Sequence, residues 1–402
     1  MKRKILLLLI ILVLPFNCFA LEYPKLHYKS AIIYDLTDEK VLYELQSNEQ
    51  MSIASLTKLM TIITAIEKNK DYSKKIIYDQ NMKNNVAWYA SVAGFKVGDV
   101  LTFDDLLYGA MLPSGADATV ALAITTSGSL EKFVVEMNTL AKKIGMTNSN
   151  FQNVHGLDAE NHYSTAEDIR KLLAYSLKND KFREVYTTKE YTLSTGKKIK
   201  STVKRQADAF NIDISKIKGS KTGFTGNAGF CISALVTHEE HEIIIITLNA
   251  PENSQGVSYN LSDTLDLIKF IETNYHKAIL VKKDKLIKVI PVNNSKQDTY
   301  KITASNNIEA FLEKDYDKDK LKITYSGLKE LSYKNKVNTT IGKIKYYYDN
   351  KLITEEQVKL NTKLELSVLK LIKSNIIIFI TILLAIAFSI FLFKGKKQLN
   401  SN

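Results

Sequence analysis

Two groups of short alternating apolar runs flank a long helical middle, and that order leaves the chain few architectures. Residues 30–35 and 41–45 are separated by a polar turn at Asp38 and Glu39 and predict a hairpin. Runs at 191–193, 217–222, 228–237 and 242–248 predict further strands, and residues 257–275 a closing helix. Between these groups, apolar residues recur at helical spacing behind Leu59, behind a capped start at Thr102, from Asp117 to Ile124, and over 130–144 with a stop at Gly145. Thr165 and Asp168 have the spacing of a capping box opening another helix to about Lys178. Strands from both ends of a helical middle pair most simply as one antiparallel sheet with helices packed on it. We expect an α/β sandwich over residues 21–277.

The ends of the chain read differently. Lys2-Arg3-Lys4, an apolar run to Leu14 and the small-residue site Cys18-Phe19-Ala20 predict a signal peptide over 1–20, cleaved after Ala20. Residues 376–393 are apolar except for Thr381 and Ser389, long enough as a helix to cross a bilayer. Lys394, Lys396 and Lys397 follow, which places the tail 394–402 in the cytoplasm and the bulk of the chain outside. The lysine-rich stretch 278–366, with alternation such as Lys285 to Ile290, predicts a small β-rich domain. Six of the twelve formal positive charges belong to the leader and the tail, so the body of the chain is only mildly basic. Without an arginine-rich or aromatic-interleaved segment, nucleic acid is not an expected partner. Removal of Cys18 leaves Cys231 alone, a core residue by its apolar neighbours.

Chemistry enters at Ser55-Leu56-Thr57-Lys58, at the head of the helix whose apolar face is Leu59, Ile62, Ile63 and Ile66. Residues three apart on a helix lie side by side, so an unprotonated Lys58 amine can take the Ser55 proton. The Ser55 N–H at the helix start can face an oxyanion. The same four-residue pattern recurs elsewhere, for example at Ser194, Ser201, Ser215, Ser326 and Ser367, which lie in polar, turn-like or membrane-flanking segments. A second feature is Ser114, on a turn forced by Pro113 and Gly115 between two helices. The third is Lys221-Thr222-Gly223-Phe224-Thr225 on a late strand: a cation and hydroxyls for a substrate carboxylate, a glycine for close backbone approach, and the Phe224 N–H as a second oxyanion donor.

In this order the three motifs resemble those of penicillin-recognising serine enzymes. In detail, Ala54-Ser55-Leu56-Thr57-Lys58-Leu59-Met60-Thr61, His155-Gly156-Leu157-Asp158, His162-Tyr163-Ser164-Thr165-Ala166 and Lys221-Thr222-Gly223-Phe224-Thr225 resemble the low-molecular-mass penicillin-binding proteins, the D-alanyl-D-alanine carboxypeptidases. The resemblance implies a penicillin-binding transpeptidase-like (β-lactamase-like) fold, peptidoglycan stem peptides as substrate, β-lactams as covalent inhibitors, anchoring to the membrane through the C-terminal helix, and no cofactor. By it Ser55 is the acylated nucleophile, Lys58 its general base, Ser114 a proton relay, and Lys221, Thr222, Gly223, Phe224 and Thr225 the substrate-binding strand. One position departs: Ala116 stands where the second motif usually ends in asparagine. The missing amide motivates a competing expectation, a slow or non-catalytic stem-binding protein. A class A β-lactamase would need a Glu-x-x-x-Asn between the second and third motifs, and none is present. His155 and His162 are expected to be structural. His238-Glu239-Glu240-His241 sits at a turn between strands, so no helix face gathers it for zinc, and no metal is expected. Lys58 must be neutral to act, and burial together with the charge of Lys221 is expected to lower its pKa.

Overall fold

A computed structural model describes residues 24, 26–252 and 258–399, with side chains to 390. The expected signal peptide and the last three residues of the tail lie outside the described residues. The chain divides into two units, Met1–Asn274 and Tyr275–Asn402.

The first unit is built on a five-stranded antiparallel sheet. Its strands are β1 (Ser30–Asp35), β2 (Lys40–Leu45), β3 (Ile217–Thr225), β4 (Gly229–His238) and β5 (His241–Ala250), in the order β2-β1-β5-β4-β3. The hairpin from the start of the chain therefore joins three strands from its end, through pairs such as Ile32 with Ile246. The run Ile243 to Leu248 is buried without alternation, because the sheet is covered on both faces. Helix α1 (Thr57–Lys68) is buried around its whole circumference from Thr57 to Ile66, more than the single apolar face expected. Its polar side chains find partners inside: Thr61 Oγ1 donates to Val154 O at 2.7 Å.

Around α1 stand α2 (Phe103–Met111), α3 (Ala116–Ser127), α4 (Leu130–Ile144), α5 (Ala166–Ser176) and α6 (Asp180–Thr187). Thr102 and Asp105 cap α2 reciprocally, with Asp105 N donating to Thr102 Oγ1 and Thr102 N to Asp105 Oδ2. At α5 only half of the expected box forms. Thr165 Oγ1 accepts from Asp168 N, while the Asp168 carboxylate accepts from Asn148 N and Ser149 Oγ. Helix α7 (Thr202–Phe210) occupies a stretch expected to be strand-rich. Its start is Ser201, whose hydroxyl accepts from Lys204 N. The closing helix α8 (Tyr259–Asn274) packs on β4 and β5.

The second unit is β-rich, with strands between Tyr275 and Lys359 and a core of Val281, Ile290, Ile302, Leu331, Ile344 and Tyr346. It ends in α9 (Val368–Ser374) and α10 (Ile376–Leu399). Among the described residues no single helix is long and apolar enough to cross a membrane. The pair Val368–Ser374 and Ile376–Ile390, bent by 84°, is so by length and composition.

Candidate active site

The polypeptide reaches α1 through a short 3-10 turn, Ala54–Leu56, so Ser55 precedes the α-helix proper. Lys58, in the first turn of α1, is 2% exposed, and its Nζ donates to Ser55 Oγ at 2.7 Å and to His155 O at 2.6 Å. Burial pulls the Lys58 pKa down to about 7, against a smaller upward pull from the Asp117 carboxylate. The expected contribution of Lys221 acts in the other direction. Lys221 is equally buried and is held well below ordinary lysine by desolvation first and by the charge of Lys58 second. Two buried amines within electrostatic reach of each other and short of counter-ions are not both charged at neutral pH.

Lys221 Nζ donates to Ser114 Oγ at 2.8 Å and to Thr222 O at 2.6 Å, which joins strand β3 to the turn between α2 and α3. Gly223 is where that strand passes the nucleophile turn. A Cβ on it would lie 2.9 Å from Ser55 N and 3.0 Å from the Ala54 Cβ, so only glycine permits the approach. Ser55 with Lys58, and Ser114 with Lys221, are thus brought together. Thr222 is buried beside them, whereas Phe224 is 49% exposed and rests on Phe230 with ring centroids 4.4 Å apart. The Thr225 hydroxyl is already engaged: it donates to Asp158 Oδ1 at 2.8 Å and accepts from Ala228 N.

Two non-glycine residues with positive φ sit in this cluster, Ala54 (46°) before the nucleophile and Ser114 (64°). Such conformations cost energy and persist only where the surroundings over-determine them. At Ala54 the surroundings are a hydrogen-bonded chain. Gln152 N donates to His162 Nδ1, so His162 carries its proton on Nε2 and donates to Thr57 Oγ1, whose hydroxyl donates to Ala54 O. Burial holds both His162 and His155 down at about 4, and both are neutral while the lysine titrates. Asn153 shapes the facing loop, accepting from His155 N and Gly156 N and donating to Leu157 O. Gly156, at φ 83°, lets that loop lie on the turn; a Cβ there would be 1.9 Å from Ala54 O.

Ala116 leaves no polar gap. Its N–H donates to Ser91 O at 2.7 Å, its carbonyl accepts from Thr119 Oγ1, and the second partner of Lys58 is the His155 carbonyl. Sequence reasoning missed Asp117, whose carboxylate accepts from the N–H groups of Ala93, Gly94 and Phe95. A single acid in the first turn of an otherwise apolar helix was the available signal. It also missed the Asn153 side chain, which shapes the facing loop, and the His155 carbonyl, a backbone contribution that residue types do not announce. Asn260, on α8, is buried and donates to Cys231 O at 3.0 Å. His241 lies at the hairpin end of β5 with Nδ1 2.9 Å from Asp35 Oδ2, in a cluster with Asp38.

The family of D-alanyl-D-alanine carboxypeptidase peptidases matches residues 17–252, and the C-terminal domain family of penicillin-binding protein 5 matches residues 275–367. D-alanyl-D-alanine carboxypeptidase DacF of Bacillus subtilis is 30% identical over 321 residues, 78% of each chain. DacC of Escherichia coli is 34% identical over 254 residues, 61% of each chain. Among solved structures, the Streptomyces K15 DD-transpeptidase superposes with a TM-score of 0.56 at 28% identity, covering 62% of this chain and 98% of that one. Penicillin-binding protein 5 from Haemophilus influenzae, at 23% identity, shares the fold across both units, with a TM-score of 0.61 over 86% of this chain and 100% of that one. With that family spanning more than half of the sequence, and with the penicillin-binding transpeptidase-like α/β fold followed by a β-rich C-terminal domain, this chain belongs to the D-alanyl-D-alanine carboxypeptidase family of serine peptidases.

Proposed function

We propose that the protein is a serine-type D-Ala-D-Ala carboxypeptidase that removes the terminal D-alanine from peptidoglycan stem peptides through an acyl-enzyme on Ser55. The observation that carries the reading is a buried lysine amine at 2.7 Å from one serine hydroxyl, with burial pulling its pKa down to about 7. In its neutral form Lys58 keeps one N–H on the His155 carbonyl and offers its lone pair to the Ser55 proton. Ser55 Oγ then attacks the carbonyl of the penultimate D-alanine. The N–H of Ser55, against the edge of β3, and that of Phe224 are the donors for the oxyanion.

Lys221 and Thr222 receive the terminal carboxylate. An entering anion restores the charge on Lys221, and that charge in turn disfavours protonation of Lys58, so binding the correct substrate end keeps the base ready. The proton held by Lys58 passes to the departing D-alanine amine, with Ser114, bonded to Lys221, as relay. Water enters next and, activated by the same amine, clears the acyl group. Thr225, whose hydroxyl is held by Asp158, orients the strand end. β-Lactams acylate the same serine, because their strained amide and carboxylate match the substrate's.

The leader and the apolar C-terminal segment support placing the enzyme on the outer side of the cell membrane. Residues 1–20 serve as signal peptide, 21–277 as catalytic domain, 278–366 as β-rich spacer, 375–393 as anchor and 394–402 as a cytoplasmic tail. Mass spectrometry after exposure to penicillin tests the acyl-enzyme. The expected result is one adduct on the Ser55 peptide that is absent from Ser55→Ala; an unmodified Ser55 peptide would contradict it.

A further inference from the structure

The loop preceding Phe95 is held firmly and carries side chains that the fold does not use. Its backbone is tied by Asp117 to the N–H groups of Ala93 (2.8 Å), Gly94 (2.7 Å) and Phe95 (3.1 Å), by Ser91 O to Ala116 N (2.7 Å), and by Lys197 Nζ to Ala93 O (2.7 Å). Most of these anchors belong to the first turn of α3, directly after the turn that presents Ser114. Just before this pinned stretch, on a turn closed by Ala90 N donating to Ala87 O at 3.0 Å, Trp88 is 93% exposed and Tyr89 64% exposed, packed edge to face on each other with centroids 5.5 Å apart. Among the described residues neither ring has another aromatic partner. An indole exposed on a turn three residues from a segment tied to the first turn of α3 is a candidate interaction surface.

We propose that Trp88 and Tyr89 form an outer subsite of the catalytic cleft and stack on an N-acylated sugar ring of the glycan strand that bears the stem peptide. The proposal rests on the carboxypeptidase reading and names the part of the substrate that lies beyond the peptide. Position supports it. Trp88 is three residues from Ser91, at most about 11 Å of extended chain, and four stem residues separate the scissile bond from the sugar by about 13–14 Å. Charge selects the occupant. Residues 86–95 carry no charged side chain, and the one cation seated on the loop, Lys197, is taken up by the Ala93 carbonyl, so the two rings suit the uncharged C–H face of a sugar better than the carboxylates of a stem. Side chains with few rotatable bonds lose little entropy on stacking.

Trp88 is the only tryptophan in the chain, so its emission reports on this site alone. The test compares kcat/KM of the full chain for a disaccharide-pentapeptide with that for a diacylated lysyl-D-Ala-D-Ala tripeptide. The unsubstituted enzyme is expected to favour the disaccharide substrate, and Trp88→Ala to lower the ratio of the two values about tenfold, with partial recovery in Trp88→Phe. In parallel, the peptide-free disaccharide is titrated into Ser55→Ala, and a saturable change in tryptophan emission is expected. An unchanged ratio in Trp88→Ala, or emission indifferent to the disaccharide, overturns the proposal. So does an emission change produced only by lipid vesicles or by concentrating the protein, which would assign the patch to a membrane or a second copy. Absence of D-alanine release from either substrate would refute the catalytic reading instead, and the emission titration would then decide the sugar site by itself.

Discussion

Acylation of Ser55 should follow the titration of a lysine displaced to about 7, and this dependence can be worked through from the geometry. At pH 7 about half of the molecules hold Lys58 neutral; a lysine left at its ordinary 10.5 would be neutral in about one molecule in three thousand. Measured as the second-order rate of acylation by a fluorescent penicillin between pH 5.5 and 9.5, reactivity should rise about tenfold per pH unit below 7 and level off above it. Lys58→Arg, which holds its proton throughout, should lose about 10²- to 10⁴-fold at the plateau. The same displacement makes a claim about stability. Between 7 and 10.5 the unfolded chain binds a proton that the folded chain does not, so stability rises with pH across that window, and the burial penalty is fully present below 7. Lys58→Met should therefore stabilise the fold by up to about 5 kcal/mol at pH 6 but only by about 1.5 kcal/mol at pH 9.5, read from denaturant midpoints. Lys221 is coupled to Lys58 by charge, so removing the amine also relieves Lys221, and this adds to the gain at the acid end of the range. A rate still climbing at pH 9.5, or a gain in stability independent of pH, would refute the reasoning.

Other perturbations probe the frame around that amine. Gly156→Ala places a methyl group 1.9 Å from Ala54 O at a positive φ, so it should destabilise the fold by about 2–4 kcal/mol in denaturant unfolding and slow acylation by displacing the Ser55 turn. Asp117→Asn removes the carboxylate that pulls the Lys58 pKa upward; the acid limb of the acylation profile should move to lower pH, and a shift to higher pH would contradict the assignment.

The fold could be read largely because its elements agree with local rules. The hairpin of β1 and β2, the Thr102 cap and the Gly145 stop all appear where turn and cap chemistry put them. Helix α7 escaped because residues 202–210 are polar and short, and its stability comes from packing Val203 and Ala207 and from the Ser201 cap. Ser201 and Ser367 share the spacing of Ser55 and Lys58, yet their hydroxyls accept from the backbone N–H three residues on, whereas Ser55 Oγ meets the lysine amine itself. What separates them is the burial of α1, a tertiary fact that only the apolar run behind Ser55 hinted at. The second motif was legible at Ser114, and its last position was read correctly as lacking an amide. Ala116 directed attention to a missing amide, when the lysine is served by a carbonyl from the His155 loop and Asp117 is spent on holding the neighbouring loop. Backbone partners of this kind have no signature in residue type.

The most direct trial of the whole account is release of D-alanine from a synthetic pentapeptide stem, followed in the parent protein and in Ser55→Ala at pH 8. Stoichiometric release of the terminal residue by the parent, abolished by loss of one hydroxyl, is the predicted result. Equal release by both proteins, or none by a parent that binds the stem, would contradict it.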